Sequence, residues 1–148
     1  MLTPVQRNKI IAFAQTHPIE LIYLYGSQTT NRRDTLSDFD FAILFEARLS
    51  TQDRFDLRLE LFPKLAKMIN VLEDAIDVVD GTEVPVLLQF NIISGQLLYA
   101  RNQDIKVSFE ATVMSKYHDM HYIYDTYVKD TLNKIKKGVY LERQIPYA

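Results

Sequence analysis

Residues 21–45 read LIYLYGSQTTNRRDTLSDFDFAILF, two apolar runs separated by a small-polar stretch. The runs Leu21–Tyr25 and Phe39–Phe45 are alternating, β-branched or aromatic, the composition of strands. Gly26 sits where the first run ends, and a residue without Cβ lets backbone approach a ligand closely. Side chains at i and i+2 of a strand share a face, so Asp38 and Asp40 are expected side by side. Phe39 and Phe41 then point the other way, into a core. Two neighbouring carboxylates are costly unless something positive lies between them, and a hard divalent cation that also takes phosphate oxygen suits the pair.

A third acid lies further along, in Ile76-Asp77-Val78-Val79-Asp80. Asp77 stands among β-branched residues on what reads as a short strand, where an unpaired carboxylate is unfavourable. If that strand lies beside the one carrying Asp38 and Asp40, the three acids form a triad able to hold two cations. One carboxylate is then left to take a proton from an attacking hydroxyl. Asp80 is read as alternating onto the same face but, standing before Gly81, as a turn residue first.

The rest of the chain frames these strands. Thr3-Pro4 caps a first helix expected to run to about His17, with Pro18 ending it. A short helical turn is expected from Ser27. Ser50 and Asp53 open a second helix with apolar positions Phe55, Leu59, Phe62, Leu65 and Ile69, and Pro63 is expected to kink or interrupt it. A third helix is expected over residues 84–94 with Gly95 as its C-cap, then an edge strand over residues 97–100. From about Gln103 to Lys137 the pattern is helical. Its stripe of Phe109, Val113, Tyr117, Met120, Tyr124, Tyr127 and Leu132 is expected to pack mostly on the sheet. A helix of that length outruns a small domain, so its distal turns and residues 139–148 are expected to meet another chain.

Composition narrows the function classes. The 148 residues are 47% hydrophobic, enough for one domain with a true core. We divide them into a core over residues 1–102 and a helix and tail over residues 103–148. A net charge of −2 gives no global basic field for nucleic acid. There is no cysteine, which excludes disulfides and thiolate metal sites and fits a reducing cytoplasm. No apolar run is long enough to span a membrane. His118 and His121 lie one turn apart but lack further ligands, so they read as a surface face. Lys134, Lys136 and Lys137 read as cations favoured at a helix C-terminus.

Gly26-Ser27, a ten-residue spacer, Asp38-Phe39-Asp40 and the later strand aspartate Asp77 resemble the DNA polymerase β-type nucleotidyltransferase superfamily. Over residues 19–100 the small size and element order are similar to its minimal nucleotidyltransferases, the antitoxin half of HEPN–MNT toxin–antitoxin pairs. The resemblance implies an α+β sandwich with a small mixed sheet of about four strands and a long C-terminal helix. It implies that Gly26 and Ser27 cradle the triphosphate of ATP and that Asp38, Asp40 and Asp77 are catalytic residues holding two magnesium ions, with Asp77 activating the acceptor hydroxyl. It further implies AMP transfer to a tyrosine of a partner HEPN ribonuclease, which silences that toxin in the cytoplasm. The family commonly has arginine and then glycine three and four residues after the serine. Thr30 and Asn31 stand there in this chain, so Arg32 or Arg33 would have to supply the charge to phosphate. A HEPN nuclease pattern, arginine with a downstream His-x-Tyr, is not met. Transfer to a small molecule or RNA, and masking of the toxin without chemistry, stay open as alternatives. The lack of an obvious second domain for a small acceptor favours a protein acceptor.

Overall fold

The computed structural model describes residues 1–26 and 39–138. Helix α1 (Pro4–Gln15) starts with a reciprocal capping box between Thr3 and Gln6, with proline in the first turn. It ends two residues before the sequence expectation. There the guanidinium of Arg101 donates to the carbonyls of Ala14, His17 and Ile19, satisfying acceptors that a helix end leaves open.

Four strands form one mixed sheet in the order β3-β2-β1-β4. Strands β1 (Ile19–Tyr25) and β2 (Phe39–Phe45) are antiparallel neighbours. Strand β3 (Ile76–Asp80) runs parallel to β2 at one edge, and β4 (Gln96–Ala100) pairs antiparallel with β1 at the other. Parallel pairing needs a crossover, and α2 (Thr51–Ile69) supplies it between β2 and β3.

Both faces of the sheet are covered. On one, Ile22, Leu24, Phe41, Ile43, Ile76 and Val78 pack under α1 and α2. On the other, Leu21, Tyr23, Tyr25, Ala42 and Leu44 pack under α3 (Val86–Ile93) and the first turns of α4 (Gln103–Lys136). Burying such side chains contributes about 1.5–3 kcal/mol each before entropy is counted.

Three sequence expectations are corrected here. Helix α2 is not interrupted at Pro63, which lies inside it. The carbonyl that loses its partner belongs to Leu59, which is half exposed, so water can serve it. The buried face of α2 is Leu61, Leu65, Ala66 and Ile69, while Phe55 and Leu59 face solvent. Two apolar stripes overlap in that helix, and packing against Phe41 and Phe45 selected one. Third, α4 packs over only its first half. Phe109 lies beside Tyr23, Val113 is buried, and Tyr117 stacks on Phe90 of α3 at 3.8 Å. Met120, Tyr124, Tyr127 and Leu132 are exposed.

Candidate functional site

Strand register builds the site. Tyr25 is the last residue of β1 and pairs with Asp40 near the start of β2. Asp40 in turn pairs with Asp77 near the start of β3. Residues in direct register on adjacent strands point to the same face, with strands about 4.8 Å apart. Tyr25, Asp40 and Asp77 therefore form a row across three strands, at one end of the sheet and on the α3–α4 face. Phe41 and Val78 take the opposite face and are buried, which holds the two carboxylates outward.

Gly26 follows Tyr25 with φ +77, a left-handed conformation that glycine adopts without strain. A Cβ there would also lie 2.5 Å from Oδ2 of Asp40. The glycine thus provides both the turn and the space into which the Asp40 carboxylate leans. Gly95 acts on the same strand end from the other side. It is not the C-cap expected from the sequence, because Ser94 caps α3 in ordinary helical geometry. Instead, a Cβ on Gly95 would meet the Leu24 carbonyl at 2.5 Å and Tyr25 Cα at 3.0 Å. Close approach, not backbone handedness, requires glycine there.

The electrostatics follow from the row. Tyr25 is buried, and its hydroxyl is pushed up to about 12, first by burial and then by the negative charges of Asp40 and Asp77. Tyr25 was read from sequence only as a strand residue. Its position directly before Gly26, opposite the second aspartate of the motif, was the available signal. Asp77 is exposed and Asp40 partly so. The two carboxylates at this end of the sheet form a hard oxygen pair, which fits a divalent cation shared with phosphate. Among the described residues no larger cluster of potential metal ligands occurs.

Asp80 is not part of this arrangement. It lies three residues from Asp77 on the same strand and so faces α2, a correction to the shared face expected from sequence. It is buried, accepts from the Thr82 backbone N–H at 3.0 Å and its hydroxyl at 2.7 Å, and lies 3.8 Å from Arg54. The turn role read for it is the one the structure displays. His121 is held by Asp125 one turn on, at 3.0 Å, as a surface pair. Ser27, Thr30, Asn31, Arg32, Arg33 and Asp38 lie outside the described residues, as do residues 139–148.

Comparison with known proteins places this geometry in context. The protein adenylyltransferase MntA of Shewanella oneidensis is 26% identical over 140 residues, spanning 90% of this chain and 96% of that one. A crystal structure of a toxin–antitoxin with AMP-PNP superposes with a TM-score of 0.63 at 26% identity, covering 85% of this chain and 98% of its own. A complex of tri-AMPylated S. oneidensis HEPN toxin with MNT antitoxin superposes at 0.58 and 25% identity, over 86% and 96%. Residues 8–104, from α1 to the start of α4 and including the Tyr25–Asp40–Asp77 row, match the family Polymerase beta, Nucleotidyltransferase, and the chain belongs to that family.

Proposed function

We propose that the protein is an antitoxin that transfers AMP from ATP to a tyrosine hydroxyl of a partner HEPN ribonuclease and thereby neutralises it. The observation that carries this reading is the register pairing of Asp40 with Asp77 beside Gly26. The similarity to an adenylyltransferase and to an antitoxin bound to an AMPylated toxin supports the choice of reaction and acceptor.

In this reading Gly26 and Ser27 receive the triphosphate of ATP, backbone N–H groups meeting phosphate oxygen. Arg32 or Arg33 adds charge to the same phosphates. Asp38, Asp40 and Asp77 would hold magnesium, which when bound neutralises phosphate charge and stabilises the attacking and leaving oxygens. Asp77, the outermost and most exposed acid of the described pair, takes the proton from the acceptor tyrosine. The tyrosine oxygen forms a bond to the α-phosphorus, the bond to the bridging oxygen breaks in line, and pyrophosphate departs. The core over residues 1–102 carries the chemistry, and residues 103–148 belong to the same domain. No described helix is long and apolar enough to cross a membrane, and a cytoplasmic setting suits ATP and a ribonuclease partner.

The test combines the protein, magnesium and α-labelled ATP with the product of the neighbouring gene. Label on a tyrosine of that product, lost with Asp40→Asn, supports the proposal. Full neutralisation by Asp40→Asn without label in either case means masking by binding instead. Label passing only to a small molecule or RNA would reassign the acceptor.

A further inference from the structure

The core-facing side of α2 changes character in its first turns. Leu61, Leu65 and Ile69 are buried, and Arg58 and Arg54 continue their face toward the N-terminus at spacings of three and four residues. Two guanidinium groups thus stand where leucine stands further along. Charged side chains leave water only where something compensates them. Both line a cavity of about 70 Å³, together with Thr51 and Phe55 of the same helix, Asp80 at the end of β3 and Glu83 in the turn after it.

Three buried polar atoms of these walls have no hydrogen-bond partner among the described residues: Nε of Arg54, Nε of Arg58 and Oδ2 of Asp80. Oδ1 of Asp80 accepts twice from Thr82. Arg54 lies 3.8 Å from Oδ2 and 3.9 Å from Glu83, beyond hydrogen-bond length. Among the described residues no carboxylate pairs with Arg58, whose guanidinium lies 5.5 Å over the Phe55 ring. These atoms specify what fits between them. The two Nε–H groups donate, so a ligand must present acceptor oxygens, best with negative charge. Oδ2 of an ionised carboxylate only accepts, so the same ligand must also donate. Sulfate and carboxylates have acceptors and no proton, and a phosphate ester loses its last proton near pH 6. Hydrogen phosphate keeps one hydroxyl at neutral pH beside its accepting oxygens. A single water needs about 10–15 Å³, so the cavity admits a group of several heavy atoms.

We infer that Arg54, Arg58 and Asp80 form a binding site for hydrogen phosphate, a small protonated oxyanion. Both Nε–H groups donate to the anion, and its hydroxyl donates to Oδ2 of Asp80. Two cations against one buried carboxylate favour the anion, while Glu83, 54% exposed at the rim, opposes it. Binding is therefore weak, in the millimolar range. The site lies at the end of the sheet opposite Asp40 and Asp77. The inference does not depend on the proposed reaction.

Titration of the full chain with inorganic phosphate, followed by calorimetry and phosphorus NMR, tests it, with sulfate at equal ionic strength as the control. Saturable binding of phosphate and none of sulfate is expected. Arg58→Gln should weaken phosphate binding on the order of tenfold, the loss of one charge-assisted hydrogen bond. Glu83→Gln changes an exposed position and should strengthen binding about threefold by removing the opposing charge. Asp80→Asn puts a donor where Oδ2 accepts, so sulfate should then bind as phosphate does. ATP added without magnesium should leave phosphate bound. Absence of saturable phosphate binding through the millimolar range means that water alone fills the cavity and overturns the inference. Equal binding of sulfate by the unaltered chain, displacement of phosphate by ATP, or binding unchanged in both Arg58→Gln and Glu83→Gln would each overturn it as well.

Discussion

On the face of the sheet covered by α1 and α2, the strand carboxylate Asp80 is buried, bonded to Thr82 and set near Arg54. On the face covered by α3 and the start of α4, Asp40 and Asp77 stand in register at the strand ends, with like charge next to like charge. Both faces are built from the same strands and differ by one step of the pleat. Asp80 is bonded through Oδ1 to Thr82 and has Arg54 3.8 Å from Oδ2, and it serves the fold. Burial first, and then Asp40 and Asp77, raise the proton affinity of Tyr25, and the approach of a cation would relieve the aspartates' share. An acid turned into the fold and an acid held outward thus lie three residues apart on β3.

Substitutions can break this contrast. The largest effect is expected for Asp77→Asn, which should lower nucleotidyl transfer by roughly a thousandfold, as loss of a general base does. Its melting temperature should stay level or rise, because a like-charge neighbour of Asp40 is gone. Single-turnover kinetics and thermal denaturation of the same sample check both halves, and a stability loss with activity retained would reverse the assignment. Asp80→Ala should do the opposite. Removing the acceptor for Thr82 and the countercharge of Arg54 should cost about 1–3 kcal/mol in urea unfolding, with the folded fraction as active as before. The smallest effect concerns the tyrosines. Both Tyr23, buried and bonded to Glu110, and Tyr25 have raised proton affinities. A raised folded-state value favours the protonated chain, so this stability is complete below about pH 10 and is lost as pH climbs toward 12. Denaturant titrations across that range should show the decline, and Tyr25→Phe should flatten it by on the order of 1–2 kcal/mol.

Much of this was legible in the chain. The alternation of Leu21–Tyr25 and Phe39–Phe45 announced two strands, and the period of two in the pleat put Asp40 on the face opposite Phe41. The adjacency of β3 to β2 was an expectation with a condition attached, and the sheet order meets it. Other readings failed where local sequence permits two answers. Helix α2 contains two apolar stripes, and Pro63 is disruptive only where its lost hydrogen bond is buried. Gly95 looks like a helix cap in one dimension, yet its role is to let the α3–β4 turn press against Leu24 and Tyr25. The stripe of α4 is uniform along its length, so nothing in it marks the point at which the core ends.

The chain alone determined the types of the described elements and the membership signalled by Gly-Ser and Asp-x-Asp, since these depend on spacing over a few residues. Only the tertiary structure decided that Tyr25 joins Asp40 and Asp77, that Asp80 turns to Arg54, and that α4 leaves its core after Tyr117. Those outcomes depend on which strands become neighbours and how far the sheet extends. Such contacts between residues distant in sequence are selected by packing of the whole chain, and no local pattern encodes them.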